Sequence, residues 1–138
     1  MAAFQYDQPV MFRHCDPAKI VFYPRYFEMV NTVIETWFER EANYPFLTML
    51  GGADTGVPTA AIETRFHAPS RMGDMLNWTL QVTRLGGTSV SFDIDAHCKD
   101  QKRVSVVITL VHVDGQTGKP KSWPQAARDN IQNFMERT

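Results

Sequence analysis

The chain has 138 residues, of which 43% are hydrophobic and 21% are charged. This length suits one domain with a single core, and the composition excludes a largely disordered chain. The 14 Lys and Arg residues nearly balance the 15 Asp and Glu residues, which excludes the basic surface that nucleic acid or an anionic membrane requires. We therefore expect one domain over residues 1–138, with neither nucleic acid nor a membrane as a partner.

The N-terminal residues and the cysteines predict the compartment. The segment MAAFQYDQPV has neither the basic start nor the apolar centre of a signal peptide, and no apolar run reaches the roughly 20 residues of a membrane span. Two cysteines, Cys15 and Cys98, are too few for a disulfide framework. We expect a cytoplasmic protein with reduced cysteines.

The first strong pattern is a long amphipathic helix from Pro24 to about Ala42. Residues 8–13 predict a short strand before it, followed by an irregular loop. Pro24 suits the first turn of a helix, where its missing N–H costs nothing. The apolar residues at helical spacing are Tyr26, Phe27, Val30, Val33, Ile34, Trp37 and Phe38. They form a broad apolar stripe, which predicts that the helix packs on a sheet.

After a short helical turn at residues 45–50, the hydrophobic period changes to two and predicts four strands. They span about 57–68, 74–85, 89–98 and 103–113. Gly86-Gly87 predicts a tight hairpin between the second and third strands. The fourth strand is apolar on both faces and is therefore expected at the centre of the sheet. The clearest alternation is in the third strand, where one face carries Val90, Phe92, Ile94, Ala96 and Cys98.

This order of elements, with a closing helix over 123–137, predicts an α+β fold. An antiparallel sheet wrapped around one long central helix would bury every apolar stripe. A sheet with a second apolar face and exposed edges also predicts self-association.

The segment HCDPAKIVFYPRYF, residues 14–27, carries the candidate catalytic group. Asp16 lies a few residues before the helix, whose N-terminus offers unpaired N–H groups and a partial positive charge for an oxyanion. A carboxylate beside such a site suits a nucleophile or a water-activating base in acyl transfer. The alternative is that Asp16 only caps the turn before Pro17, as Asx-Pro sequences usually do. The residues alone favour that structural role.

The block HCDPAKIVFYPRYFE resembles the signature of the 4-hydroxybenzoyl-CoA thioesterase-like family of hotdog-fold acyl-CoA thioesterases, which usually reads D-P-A-G-I-V-F/W-Y-P-x-Y-F. The resemblance implies a hotdog fold, a homodimer or homotetramer, and hydrolysis of an acyl-CoA without a cofactor, since coenzyme A belongs to the substrate. It places the catalytic aspartate at Asp16 and the N–H that polarises the thioester carbonyl at Tyr23 or its neighbour. Lys19 replaces the usual Gly, and His14 stands where many relatives carry a small or acidic residue.

The resemblance also implies where the substrate binds. Basic and hydroxyl residues near the hairpin between the second and third strands often contact the CoA phosphates in this family, which points to Arg84, Thr88 and Ser89. The acyl group is expected to be short or aromatic. Its candidate pocket residues, although aromatic residues at helical spacing are more often core, are Phe12, Phe22, Tyr23, Tyr26 and Trp37.

Other groups of residues give weaker indications of function. The four histidines have no metal-ligand spacing and no HExxH or CxxC motif occurs, so we expect no metal site. Glu28 and Glu35, on the polar side of the helix, are alternative bases. Two other functions stay open. One is a non-catalytic acyl-CoA-binding or oligomerisation module, and the other is a different hotdog enzyme such as an enoyl-CoA hydratase.

Overall fold

The computed structural model describes residues 3–138, which form an antiparallel sheet and three α-helices. In chain order the elements are β1 (Phe4–Pro9), a 3₁₀ turn (Phe12–His14), α1 (Tyr23–Arg40), α2 (Phe46–Leu50), β2 (Thr55–Gly56), β3 (Thr59–Phe66), β4 (Met75–Leu85), β5 (Ser89–Cys98), β6 (Gln101–Val111), β7 (Val113–Asp114) and α3 (Gln125–Arg137). The sheet has five strands in the order β1-β4-β5-β6-β3, and a separate two-stranded ribbon pairs β2 with β7. This arrangement confirms the α+β class.

Helix α1 begins one residue before Pro24 and ends two residues before Ala42, close to its predicted bounds. Its apolar side is buried in the core. The fully buried ring of Trp37 lies 4.9 Å from Phe38, 4.9 Å from Phe92 and 5.6 Å from Phe134, between ring centroids. Trp37 therefore packs in the core, and its expected place in an acyl pocket is wrong.

Strands β4 and β5 show the expected alternation of buried and exposed residues. Leu76, Trp78 and Leu80 of β4 are fully buried, and so are Phe92 and Ile94 of β5. Both strands begin within one residue of their predicted start. Strand β6 lies between β5 and β3, as expected for a strand that is apolar on both faces.

Two short elements differ from the prediction. Strand β1 covers 4–9 and not 8–13, because its pairing with β4 ends at Pro9, opposite Met75, and Phe12–His14 turns into a 3₁₀ helix. The ribbon of β2 and β7 was not predicted, since two-residue strands are too short to show a hydrophobic period.

A buried polar cluster lies under the C-terminal segment. The Tyr44 hydroxyl lies 2.7 Å from both Thr55 Oγ1 and His112 Nε2. His112 Nδ1 lies 2.8 Å from the Lys121 carbonyl oxygen. Because a carbonyl only accepts, Nδ1 carries the proton and Nε2 accepts from Tyr44. Burial is the main cause that lowers the pKa of His112, so the neutral ring belongs to the folded state.

Strand β3 is an exposed edge of the sheet. Seven of its eight residues are exposed, including the large apolar side chains of Ile62 and Phe66. Val107 on the neighbouring β6 is exposed as well. Such an edge presents unpaired backbone groups beside apolar surface. Among the helices of residues 3–138, none combines the length and the hydropathy that crossing a membrane requires.

Candidate active site

The loop that carries Asp16 is closed by its own backbone. Asp16 N–H donates to the Ile20 carbonyl at 3.0 Å, and Lys19 N–H donates to the Asp16 carbonyl at 2.9 Å. Cys15 and Val21 form a one-residue antiparallel bridge across the base of the loop. These bonds give residues 15–21 a defined conformation.

The carboxylate of Asp16 is held by one of its two oxygens. Oδ1 accepts the Ala18 N–H at 2.8 Å, which is the turn-capping contact that the sequence suggested as the structural role. Among residues 3–138, Oδ2 has no hydrogen-bond partner, and the residue is partly exposed. Asp16 therefore caps its turn and still presents a free oxygen.

The start of α1 lies against this loop. Phe22, the N-cap, donates its N–H to the His14 carbonyl at 2.9 Å. Tyr23 is the first helical residue, and its N–H has no acceptor within the described part of the chain. Pro24 has no N–H, and Arg25 N–H donates to Phe22. The Tyr23 N–H is thus the free donor at the positive end of the helix.

One half-buried arginine holds both ends of the segment that carries Asp16. Arg103 Nη1 donates to Asp74 Oδ2 at 2.8 Å, and to the Ser70 hydroxyl and the Pro69 carbonyl at 3.1 Å each. The Ser70 carbonyl accepts Val21 N–H, and the Asp74 carbonyl accepts Val10 N–H, each at 2.8 Å. The turn over residues 69–74 therefore anchors the segment from Val10 to Val21 at both ends.

This anchor was not expected from the sequence. Asp74 and Arg103 are 29 residues apart, so no local spacing links them. The bond from Arg103 is the first cause that lowers the pKa of Asp74. One feature of the sequence could have indicated a buried partner for Arg103, namely its position as a cation at the start of a mainly apolar stretch of β6.

His14 is buried beside Asp16 and acts as an acceptor. Its Nδ1 accepts the Met11 N–H at 2.8 Å, so the neutral ring carries its proton on Nε2. Burial lowers the pKa of His14, and the nearby cation Arg13 lowers it further. The neutral imidazole thus maintains the 3₁₀ turn that leads into the loop.

Asp16 opens into a cleft of about 640 Å³. Lys19 lines its wall and adopts a left-handed backbone with φ of +68°, which explains why the signature carries Gly at this position. Phe12, 83% exposed, lines the same cleft and is not part of an enclosed acyl pocket.

An apolar cavity of about 310 Å³ lies at the helix entry, separate from the cleft at Asp16. Tyr23 and Tyr26 line it, together with Val21 and Phe66. The buried Tyr26 has its pKa raised, mainly by burial. Phe22 is 44% exposed, and its ring lies 5.6 Å from that of Tyr23.

The expected CoA-binding residues lie elsewhere in the chain. Arg84 is the exposed penultimate residue of β4, and Thr88 and Ser89 follow the hairpin. Strand β4 begins at Met75, beside the segment that carries Asp16, so Arg84 lies about 30 Å away along the strand. One chain does not bring these three residues to Asp16.

The alternative bases and a metal fit less well. Glu28 is exposed and pairs with Arg25 at 3.0 Å, and Glu35 is exposed on α1. Within residues 3–138, no cluster of His, Cys, Asp and Glu could hold a metal ion. Asp16 thus remains the candidate, since it presents a free carboxylate oxygen on the loop that leads into α1.

Comparisons with known proteins identify the family and the fold. Residues 10–131 match the thioesterase-like superfamily. The 1,4-dihydroxy-2-naphthoyl-CoA thioesterase of Synechocystis has a TM-score of 0.87 at 19% identity, covering 96% of this chain and 97% of that one. A gentisyl-coenzyme A thioesterase has a TM-score of 0.82 at 20% identity, covering 93% and 99%. A Staphylococcus aureus protein solved in complex with CoA has a TM-score of 0.89 at 13% identity, covering 99% and 87%.

No curated protein matches the sequence significantly. The similar structures show the shared fold, and the family match covers most of the chain, including the loop of Asp16 and the start of α1. The chain therefore belongs to the thioesterase-like superfamily of hotdog proteins, and its class of reaction is thioester hydrolysis.

Proposed function

We propose that the protein hydrolyses an acyl-CoA to the free acid and CoA, with Asp16 as nucleophile or general base and the Tyr23 N–H as oxyanion donor. The observation that carries this proposal is a pair of unsatisfied groups, Asp16 Oδ2 and the Tyr23 N–H, on one closed loop and the helix that follows it. Acyl transfer needs one group to start the attack and another to hold the negative charge that develops.

The reaction follows from these two roles. As a base, Asp16 takes a proton from water, and the resulting hydroxide attacks the thioester carbonyl. As a nucleophile, it attacks the carbonyl itself, and water then hydrolyses the mixed anhydride. In both cases the carbonyl oxygen becomes negative beside the Tyr23 N–H, and the C–S bond breaks to release the CoA thiol.

The acyl group is short or aromatic. The cavity behind Tyr23 has about 310 Å³, at the lower end of ordinary ligand pockets, and its lining is largely apolar. Two proteins of the same fold, at 19% and 20% identity, are named as thioesterases for a naphthoyl-CoA and for gentisyl-CoA. Phe22 and Tyr26 belong to this substrate site, at its rim and in its wall.

The working unit is a homo-oligomer, a dimer or a homotetramer. Pairing between two copies of β3 would satisfy an exposed edge that carries Ile62 and Phe66. In such an assembly, Arg84, Thr88 and Ser89 of a neighbouring copy contact the CoA phosphates of a substrate bound at Asp16. This arrangement accounts for their distance from Asp16 within one chain.

The whole chain acts as one hotdog domain in which the sheet wraps around α1, since the apolar side of α1 is buried against core residues of β4 and β5. We place the reaction in the cytoplasm, because Cys15 and Cys98 are both free thiols. The reaction requires no cofactor besides the CoA of the substrate.

The test is thiol release from short, long and aromatic acyl-CoAs by the wild type, Asp16→Asn, Asp16→Ala and the control Asp100→Asn. Asn keeps an oxygen that can accept the Ala18 N–H, so it removes the charge and preserves the turn. Asp100 lies in the exposed turn between β5 and β6 and lines none of the cavities.

Loss of turnover in both Asp16 variants, with Asp100→Asn unchanged, supports the proposal. The observed turn cap at Asp16 favours one rival, a non-catalytic acyl-CoA-binding module. That rival gains if the wild type binds acyl-CoA and releases no thiol from any member of the panel. If Asp16→Asn retains wild-type turnover, Asp16 is not the catalytic group.

A further inference from the structure

Phe66, the last residue of β3, closes the gap between that strand and α1. Its ring centroid lies 6.4 Å from Tyr23, 5.8 Å from Tyr26 and 6.4 Å from Phe27. These three residues span the first turn and a half of α1. One side chain of the sheet edge thus contacts three aromatic rings of the helix.

Apolar cavities lie on both sides of this contact. The cavity at the helix entry, lined by Tyr23, Tyr26 and Phe66, has about 310 Å³. A second cavity of about 310 Å³ lies further along α1 and is lined by residues that include Phe27 and Ile34. Both cavities are bounded by α1 and β3, so Phe66 and the rings it touches form the partition between them.

The two cavities follow one face of the strand. Ile62 and Phe66 are four residues apart on β3 and therefore point to the same side. Ile62 lines the second cavity, and Phe66 lines the first. Without the ring of Phe66, a continuous groove would follow α1 from Tyr23 to Ile34, about 16 Å at the rise of an α-helix.

We propose that Phe66 determines acyl-chain length: its ring confines the acyl group to the cavity at the helix entry and excludes straight chains that would extend into the second cavity. The proposal rests on the thioesterase function proposed above. The first cavity takes one aromatic ring or a short chain, whereas both cavities together would take a medium or long chain.

The energetic reason is burial of methylene groups. Each methylene that enters an apolar cavity improves binding by roughly fourfold. Lining residues of the second cavity, among them Val30, Met49 and Leu110, provide such surroundings, but the partition denies them to the substrate. Removing the ring should change selectivity far more than it changes the chemical step.

The experiment compares kcat/KM for benzoyl-CoA and dodecanoyl-CoA in the wild type, Phe66→Ala, Phe66→Leu and Phe66→Trp. Leu47→Ala is the matched control, since Leu47 is an 86% exposed apolar residue that lines neither cavity. We expect the dodecanoyl-to-benzoyl ratio to rise at least tenfold in Phe66→Ala, and to rise less in Phe66→Leu. It should fall in Phe66→Trp and stay constant in Leu47→Ala.

Ratios within twofold of the wild type in Phe66→Leu and Phe66→Trp would overturn the proposal, even if Phe66→Ala failed to fold. The Kd values of both acyl-CoAs, measured by calorimetry in an Asp16→Asn background, test the partition without turnover. A Kd ratio that Phe66→Leu leaves unchanged also overturns it. Absence of turnover in the wild type contradicts the proposed function instead, so the two failures are distinguishable.

Discussion

The two ends of the sheet use their loops in opposite ways. At the hairpin end, residues 85–89, the C-terminal segment satisfies the turn: Arg128 Nη1 donates to the Gly86 carbonyl at 2.9 Å, and Trp123 Nε1 donates to Ser89 at 3.2 Å. At the candidate-site end, residues 10–23, the Tyr23 N–H and Asp16 Oδ2 have no partner within residues 3–138.

We expect from this difference that the hairpin end contributes mainly to stability and the other end mainly to activity. Bonds at the hairpin end lower the free energy of the folded state by holding the backbone of the turn. The candidate-site end keeps its backbone in place through Arg103 and His14, and the Asp16 oxygen and the Tyr23 N–H remain unpaired at the cleft and the helix entry. Substitutions at the two ends should therefore affect different measurements.

The largest effect is expected for Asp16→Asn. The turn bond from Ala18 survives, so the melting temperature should change little, while kcat falls by about 10² to 10⁴ if Asp16 is the base. Thiol release and thermal unfolding of the same preparation measure both. A melting temperature that falls together with kcat would place Asp16 among the stabilising residues.

Arg103→Met should affect both quantities. It leaves the Asp74 carboxylate without its ion-pair partner and releases the turn over 69–74, at a cost of about 2 to 3 kcal/mol for this partly exposed pair. Displacement of the Asp16 segment should also lower kcat by about tenfold to a hundredfold. Denaturant unfolding and steady-state kinetics measure these changes.

Arg103→Lys is the control for charge. Lys can keep the ion pair with Asp74 but lacks the planar fork of Arg, so stability should recover more than kcat. Equal recovery of stability and kcat would show that the charge of Arg103 is sufficient.

One buried histidine lies near each end of the sheet, His14 at the candidate-site end and His112 at the hairpin end, so pH dependence also distinguishes the two ends. The pKa values of His14 and His112 both lie below the ordinary 6.5, mainly because of burial. The stabilisation from each neutral ring is fully present above pH 6.5 and is lost as the pH falls toward the folded pKa. Protonated His14 cannot accept the Met11 N–H, so kcat/KM should fall over the same range.

His14→Asn tests this link, because Asn Oδ1 can accept that N–H at every pH. Its kcat/KM should show a weaker acid decline over pH 5 to 7, while the decline in melting temperature that comes from His112 persists. An unchanged acid decline of kcat/KM in His14→Asn would assign it to another group.

The smallest effect is expected at the hairpin end. Arg128→Met removes the bond to the Gly86 carbonyl and should cost about 1 kcal/mol of unfolding free energy, with kcat unchanged. Urea unfolding and turnover per folded enzyme check both. A fall in kcat without loss of stability would show that the hairpin takes part in the reaction.

Strand and helix positions followed from periodicity wherever elements were long. β4, β5, α1 and α3 each show a period over ten or more residues, and the structure places them close to their predicted bounds. β1 was misplaced because its residues, FQYDQP, alternate weakly. Such short segments are determined by pairing with β4, which no local pattern reveals.

The candidate site could be located from the sequence only through the resemblance, since Asp-Pro alone favours a turn. The resemblance led to Asp16 and Tyr23, whose roles stay predictions. The positioning contact between Asp74 and Arg103 was missed, because it joins residues distant in sequence. The interpretation of Trp37 as a pocket residue was wrong, because helical spacing alone does not distinguish a pocket from the core.

The left-handed backbone at Lys19 restricts which residues can occur there. At a φ of +68°, Gly, Asn and Asp are accommodated readily, whereas β-branched residues such as Val and Ile clash with their own backbone, and Pro is excluded by its ring. A saturation library at position 19, selected only for folded protein, should therefore return a narrow set of residues. Natural substitution of Lys19 has a further limit in the genetic code, since a Lys codon becomes an Asn codon by one base change and a Gly codon only by two.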